Sequence, residues 1–221
     1  MTKKNNVNED LTEIVFILDE SGSMCDMVED TIGGFNSTIA SQKKKKGECL
    51  VSTVCFSNDQ RVIHDRINLK DVKKLTSNDY NPHGCTALID TIALSIKHIK
   101  TIHRYIRKED RPTKTMFIIT TDGMENASVK YSLKEVKKMI EDQKEKGWEF
   151  IFMAANIDAY ETARDFGFEE SRTVNYVNDS IGNKVKFKCM DMAITSLRTN
   201  GCVDELALEE VKQDHKKRGK K

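Results

Sequence analysis

Ile14-Val15-Phe16-Ile17-Leu18-Asp19-Glu20-Ser21-Gly22-Ser23 is an apolar run that breaks off on a polar loop. Five consecutive apolar residues leave no polar face, so Ile14–Leu18 reads as a strand covered on both sides, as in the middle of a parallel sheet. Leu50–Phe56, Met116–Thr120 and Glu149–Ala154 read as buried strands in the same way. Helical patterns fill the gaps between them. Val28, Ile32, Phe35 and Ile39 line one helix face, as do Leu88, Ile92, Ile96, Ile99 and Ile106, and Leu133, Val136 and Ile140. Gln60–His64 follows Ser57-Asn58-Asp59 and reads as a hairpin partner at a sheet edge. Further on come a short helix at 159–166, a candidate strand at 172–177 and a last helix near 184–197, with Val185, Cys189, Met192, Ala193 and Leu197 as its buried stripe. Strands alternating with helices require right-handed crossovers. The expected fold is α/β: a Rossmann-like open, mostly parallel sheet with helices on both faces and one antiparallel edge strand.

Composition narrows the function. The 221 residues suit one domain. The expected division is a flexible N-terminus over 1–10, the domain over 11–200, and a charged C-terminal tail over 201–221. With 38% hydrophobic and 32% charged residues and a formal charge of +1, the chain has no global pull toward nucleic acid. Residues 1–10 are polar and lack the apolar core of a signal peptide, and no apolar run approaches a bilayer span, so no membrane role is expected. The six cysteines form no C-x-x-C pair, and a reduced, cytoplasmic chain is the simplest reading.

The residues that carry chemistry fall where strands give way to helices, the place where open α/β sheets bind ligands. Asp19-Glu20-Ser21-Gly22-Ser23 follows the first strand, His83-Gly84-Cys85-Thr86 precedes the long helix, and Thr121-Asp122-Gly123 follows Met116–Thr120. Asp19 and Asp122 offer charge; Ser21, Ser23 and Thr86 offer neutral hydroxyls. That all-oxygen set suits a hard divalent ion, Mg²⁺ above all, which keeps several waters and uses one or two carboxylates. Two carboxylates only just balance the ion and leave it able to attract an outside anion. Capping is the competing explanation for Asp-x-Ser-x-Ser, since Asp and Ser are common helix caps. Thr86 and Asp122 at two further strand-end loops favour the metal.

Asp19-x-Ser21-x-Ser23, Thr86 in Gly84-x-Thr86, and Asp122 in Thr121-Asp122-Gly123 resemble the metal-ion-dependent adhesion site of von Willebrand factor A domains. Asp19-Glu-Ser-Gly-Ser-Met24 is close to a common bacterial version, of the kind found in stand-alone bacterial or phage members, and the likeness runs from Leu11 to Leu197. It implies that Ser21 and Ser23 bind the ion directly, that Thr86 binds in the liganded state, and that Asp19 and Asp122 act largely through waters. It further implies an adaptor-like function without catalysis, in which Mg²⁺, replaceable by Mn²⁺, takes the Asp or Glu carboxylate of a partner protein. Glu20, His83, Glu125 and Asn126 are candidate ligand-rim residues, each with a plainer reading as a cap or loop residue. Asp26 is a candidate for a second metal, against the commoner reading of an acid in a first helical turn. The rival from another class is a Mg²⁺-dependent phosphotransferase of haloacid-dehalogenase type. Such an enzyme needs a second Asp two residues after the first, where this chain has Ser21.

Overall fold

Strand β1 (Thr12–Asp19) lies at the centre of a six-stranded sheet, in a computed structural model that describes residues 11–156 and 158–219. The expected flexible stretch 1–10 lies outside the described residues. The other strands are β2 (Cys49–Phe56), β3 (Gln60–Asn68), β4 (Lys114–Thr121), β5 (Trp148–Ala154) and β6 (Thr173–Asn175). Their order is β3-β2-β1-β4-β5-β6. All neighbours are parallel except β2 and β3, so β3 is the antiparallel edge. In register, Thr12–Leu18 matches Cys49–Cys55 on one side and Lys114–Thr120 on the other.

The helices are α1 (Val28–Gln42), α2 (Leu88–Tyr105), α3 (Leu133–Lys144), α4 (Ala159–Phe166), α5 (Ser180–Asn200) and α6 (Glu209–Arg218). Successive side chains of a strand point to opposite faces, and β1 divides its residues accordingly. Ile14, Phe16 and Leu18 pack with Phe35 and Ile39 of α1 and with Phe187, Met190 and Ile194 of α5. Val15 and Ile17 pack with Leu88, Ile92 and Ile96 of α2, Val136 and Ile140 of α3, and Ala159 and Ala163 of α4. A continuous apolar strand is thus what a sheet sandwiched between two helical layers requires.

Local chemistry sets the helix ends. Ser132 and Glu135 form a reciprocal capping box at α3. Asp158 caps α4 by accepting from the amides of Tyr160 and Glu161, and Asp179 caps α5 by accepting from Gly182. α4 and α5 both stop on glycines in left-handed conformation, Gly167 at φ +80° and Gly201 at φ +81°.

Three details depart from the sequence reading. β3 runs on to Asn68, beyond the expected His64. α5 begins earlier and turns a wider stripe inward: the expected Cys189, Ala193 and Leu197 are buried and are joined by Lys186, Phe187, Met190 and Ile194, whereas Met192 is 42% exposed. The charged segment after 200, expected as a frayed tail, includes a short 3₁₀ turn (Glu205–Leu208) and α6. Leu208 and Val211 are buried in the core beside α5, and that apolar anchorage holds an otherwise polar helix in place.

Candidate metal centre

Chain order reverses between β1 and β4: the chain builds outward from β1 to β3, then returns to β4 on β1's other side. Their carboxyl ends diverge into the loops that carry Asp19 and Asp122, which is the place where a doubly wound sheet opens a crevice. A third loop, before α2, is drawn in by backbone bonds. Gly22 N donates to Gly84 O at 3.1 Å, and His83 N donates to Glu20 O at 2.9 Å. Gly84 makes this approach at φ +70°, a conformation that favours glycine. Asn126 fastens the β4 loop to the α2 loop from both sides, since its amide donates to Thr86 O (3.1 Å) and its side-chain oxygen accepts from Thr86 N (2.8 Å).

The side chains converge within this frame. Asp19 Oδ1 accepts from Ser21 N at 2.8 Å, and its Oδ2 accepts from Thr121 Oγ1 at 2.6 Å. Ser21 Oγ and Ser23 Oγ stand 3.0 Å apart, and Ser23 Oγ donates to Asp122 Oδ1. Asp122 Oδ2 accepts from Asn178 Nδ2 at 3.0 Å. Thr86 joins the group at Gly123: a methyl there would stand 3.4 Å from Thr86 Oγ1 and 3.7 Å from Ser23 Oγ. Asp19, Ser21, Thr86 and Asp122 are buried and Ser23 is exposed, so the cluster faces solvent through Ser23.

Burial is the main cause that holds the Asp19 carboxyl above its usual range; the nearby charge of Asp122 pushes the same way, and the bonds from Ser21 and Thr121 oppose it. Two tyrosines complete the floor. Tyr80 Oη donates to Asp19 O at 2.5 Å and Tyr176 Oη donates to Thr121 O at 3.3 Å. Both phenols are held well above their ordinary range, first by burial and then by the neighbouring acids.

The donor set is two carboxylates and three hydroxyls, with no cluster of three His, Cys, Asp or Glu among the described residues. Oxygen-only donors of low total charge fit a hard ion such as Mg²⁺ or Mn²⁺ better than zinc, whose sites are built chiefly on His nitrogen and Cys sulfur.

The other candidates sit around this cluster in different ways. Glu20 is 2% exposed and committed to Arg61 Nη2, at 2.7 Å, and to the amide of Asn81. Glu125 accepts from Ala127 N, Ser128 N, Ser128 Oγ and Ile89 N, which binds the β4 loop to the start of α2. His83 is exposed; its Nδ1 donates to Asn81 O at 2.8 Å, leaving Nε2 to accept from Ser57 Oγ at 3.2 Å in the neutral ring. Asp26 is exposed in the short 3₁₀ helix Gly22–Met27.

Sequence reading missed Asn178, Tyr80, Tyr176 and Lys186. Asn178 could have been found, because it follows the strand expected at 172–177 and so belongs to the same sheet edge as Asp19 and Asp122. Tyr80 lies between elements, where no periodicity marks it.

No protein-family model matches the sequence, and no curated protein matches it. Solved structures do resemble it. A von Willebrand factor type A protein from Catenulispora acidiphila aligns with TM-score 0.57 and 14% identity over 83% of this chain and 42% of that one. Proximal thread matrix protein 1 of the mussel byssus aligns at 0.55 and 14%, over 82% and 45%. The manganese-loaded TRAP protein of Plasmodium vivax aligns at 0.54 and 15%, over 80% and 71%. The chain spans less than half the length of the first two. It has the von Willebrand factor type A fold.

Proposed function

We propose that the strand-end crevice holds one Mg²⁺, replaceable by Mn²⁺, and that the domain uses it to bind an acidic side chain of a partner protein. The observation that carries this reading is the convergence of Asp19, Ser21, Ser23, Thr86 and Asp122 from three loops onto one solvent-facing point. Helix capping does not account for it: Ser21 is followed by a 3₁₀ turn that receives no side-chain cap, and Met27, not a loop Asp or Ser, precedes α1.

Each residue has a task. Ser21, Ser23 and Thr86 present neutral oxygens to the ion. Asp19 has both carboxylate oxygens engaged already, so it supplies charge more than direct coordination. Asn178 holds the second oxygen of Asp122 and orients the first. The bonds among Gly22, Gly84, Thr86 and Asn126 fix the loops before an ion arrives, which lessens the ordering cost of binding. When bound, the ion supplies an electrophilic position that an outside carboxylate can occupy. The manganese named for the Plasmodium vivax structure supports a divalent ion here as well.

The domain is read as an adaptor without catalysis. A phosphotransferase would need a carboxylate at position 21 to move protons, and the Ser21 hydroxyl cannot do that at neutral pH. No helix among the described residues is long and apolar enough to cross a membrane. All six cysteines are free, which supports a cytoplasmic setting.

The test is capture of a partner from native lysate in Mg²⁺. EDTA should release it, Ser21→Ala and Ser23→Ala should fail to capture it, and Thr86→Ala should weaken capture more than it weakens metal binding. A partner retained in EDTA and by all three variants would place the contact on another surface. Phosphatase turnover dependent on Asp19 would establish the enzyme instead.

A further inference from the structure

Lys186 is a charged residue inside the layer formed by α1, α5 and α6. It is 1% exposed, and its Nζ lies 4.2 Å from the centre of the Tyr176 ring and 4.9 Å from that of Phe187. No ion pair among the described residues includes it. An ammonium buried without a partner is strongly disfavoured. The two ring faces offset part of that cost.

The strand-end acids offset a further part, though burial still outweighs them. Tyr176, whose ring covers the ammonium, donates through its hydroxyl to Thr121 O; Thr121 in turn precedes Asp122 and donates to Asp19. Lys186 therefore stands one aromatic ring behind the two carboxylates, without touching either. The charges that face it are Asp122 beyond β4, Asp19 at the end of β1 and Asp30 on α1, with Tyr176 as the neighbouring phenol. Burial drives its amine down to about 7, while Asp122, Asp19 and Asp30 pull it back up.

We infer that Lys186 is the internal countercharge of the candidate metal centre, balancing Asp19 and Asp122 when no ion is present and setting how tightly an ion is held. The inference rests on the metal-binding reading. A divalent ion in the crevice would take over the attraction of the same carboxylates and repel the ammonium behind them. Lys186 must then either weaken the ion's hold or give up its proton to solvent. At low pH the lysine is charged and opposes the ion; at higher pH it is neutral and the opposition fades.

Calorimetric titration of the whole chain with MgCl₂, in buffers of different ionisation enthalpy between about pH 6 and pH 8, tests this. Wild type should release part of a proton per ion, with release greatest near neutrality, and should bind more tightly as pH rises. Lys186→Met should bind at least about threefold more tightly at the acid end, with a flatter profile and less release. A merely structural lysine would move neither the profile nor the proton count. Equal affinities and equal profiles in the two proteins would overturn the inference while leaving the metal site standing. Should Lys186→Met fail to fold, wild type alone decides: ion binding that releases no proton near neutrality would overturn it. Wild type that binds no ion removes the metal centre itself, and the role of Lys186 with it.

Discussion

The hydroxyl of Ser23 donates to Asp122 Oδ1, a bond between residues 99 positions apart that joins the loop after β1 to the loop after β4. The two residues meet because β1 and β4 are adjacent, parallel and in register as far as Leu18 and Thr120. The same pair should be joined by an ion when one is present, and the first predictions turn on what that exchange does to stability.

Mg²⁺ should raise the thermal midpoint of the protein, and Mn²⁺ should do so too. A ligand that binds only the folded state adds about 2.7 kcal/mol at one hundred times its Kd. Melts in EDTA, Mg²⁺ and Mn²⁺ check this, and coincident curves would speak against a site.

Asp122→Asn should remove most metal binding and leave the metal-free protein at least as stable. The amide still meets Ser23 and Asn178, and the lost repulsion between two nearby carboxylates offsets the lost attraction to Lys186. Chemical denaturation in EDTA measures it. A loss of more than about 2 kcal/mol would make Asp122 a structural anchor.

The pH dependence follows from Asp19. Its carboxyl is held above the ordinary value of 3.8, mainly by burial, so the folded state binds its proton more tightly than the unfolded chain does. Metal-free stability should therefore fall as pH rises from 3.8 through the folded-state value, and stay low above it. The ion must displace the same proton, so its affinity should weaken as pH drops through that range. Asp19→Asn should flatten the fall in stability; denaturant titrations at stepped pH in EDTA would show it.

Two adjacent glycines in α1 make opposite predictions. A methyl at Gly33 meets nothing within 4 Å, whereas one at Gly34 would sit 2.0 Å from Phe187 Cδ2 of α5. Gly33→Ala should stabilise by about 0.5–1 kcal/mol through helix propensity. Gly34→Ala should destabilise by about 1–3 kcal/mol, because α1 and α5 must separate or Phe187 must leave its place. Equal effects from the two would contradict the close approach of these helices.

Much of this architecture was legible in the residues. Apolar runs such as Ile14–Leu18 have no polar face to show water, so both the strand and its central position follow from them. The loops were legible because polar residues recur where those runs stop. Other features depend on tertiary contact and left no local mark. α6 is polar along most of its length; Val203, Ala207, Leu208 and Val211, buried in the core with α5, anchor its segment together with the Lys188–Glu210 and Arg218–Asp179 ion pairs. The inward stripe of α5 was partly legible: Cys189, Ala193 and Leu197 are buried as expected, but Lys186 counts as polar in any periodicity argument, although it is buried under Tyr176. Glu20 and Glu125 resembled ligand-rim residues in sequence. Of their partners, Arg61 for Glu20 and Ile89 for Glu125 come from segments that sequence spacing does not connect, whereas Ala127 and Ser128 lie beside Glu125 and fit its plainer reading as a cap or loop residue.

The most direct test of the metal centre is a crystal of the whole chain grown with Mn²⁺ and measured at a wavelength where manganese scatters anomalously. One anomalous peak is predicted among Ser21 Oγ, Ser23 Oγ and Thr86 Oγ1, with Asp19 and Asp122 close by and a coordination position open to a carboxylate from the medium or a neighbouring molecule. No peak there, or a peak only elsewhere on the surface, would contradict the account.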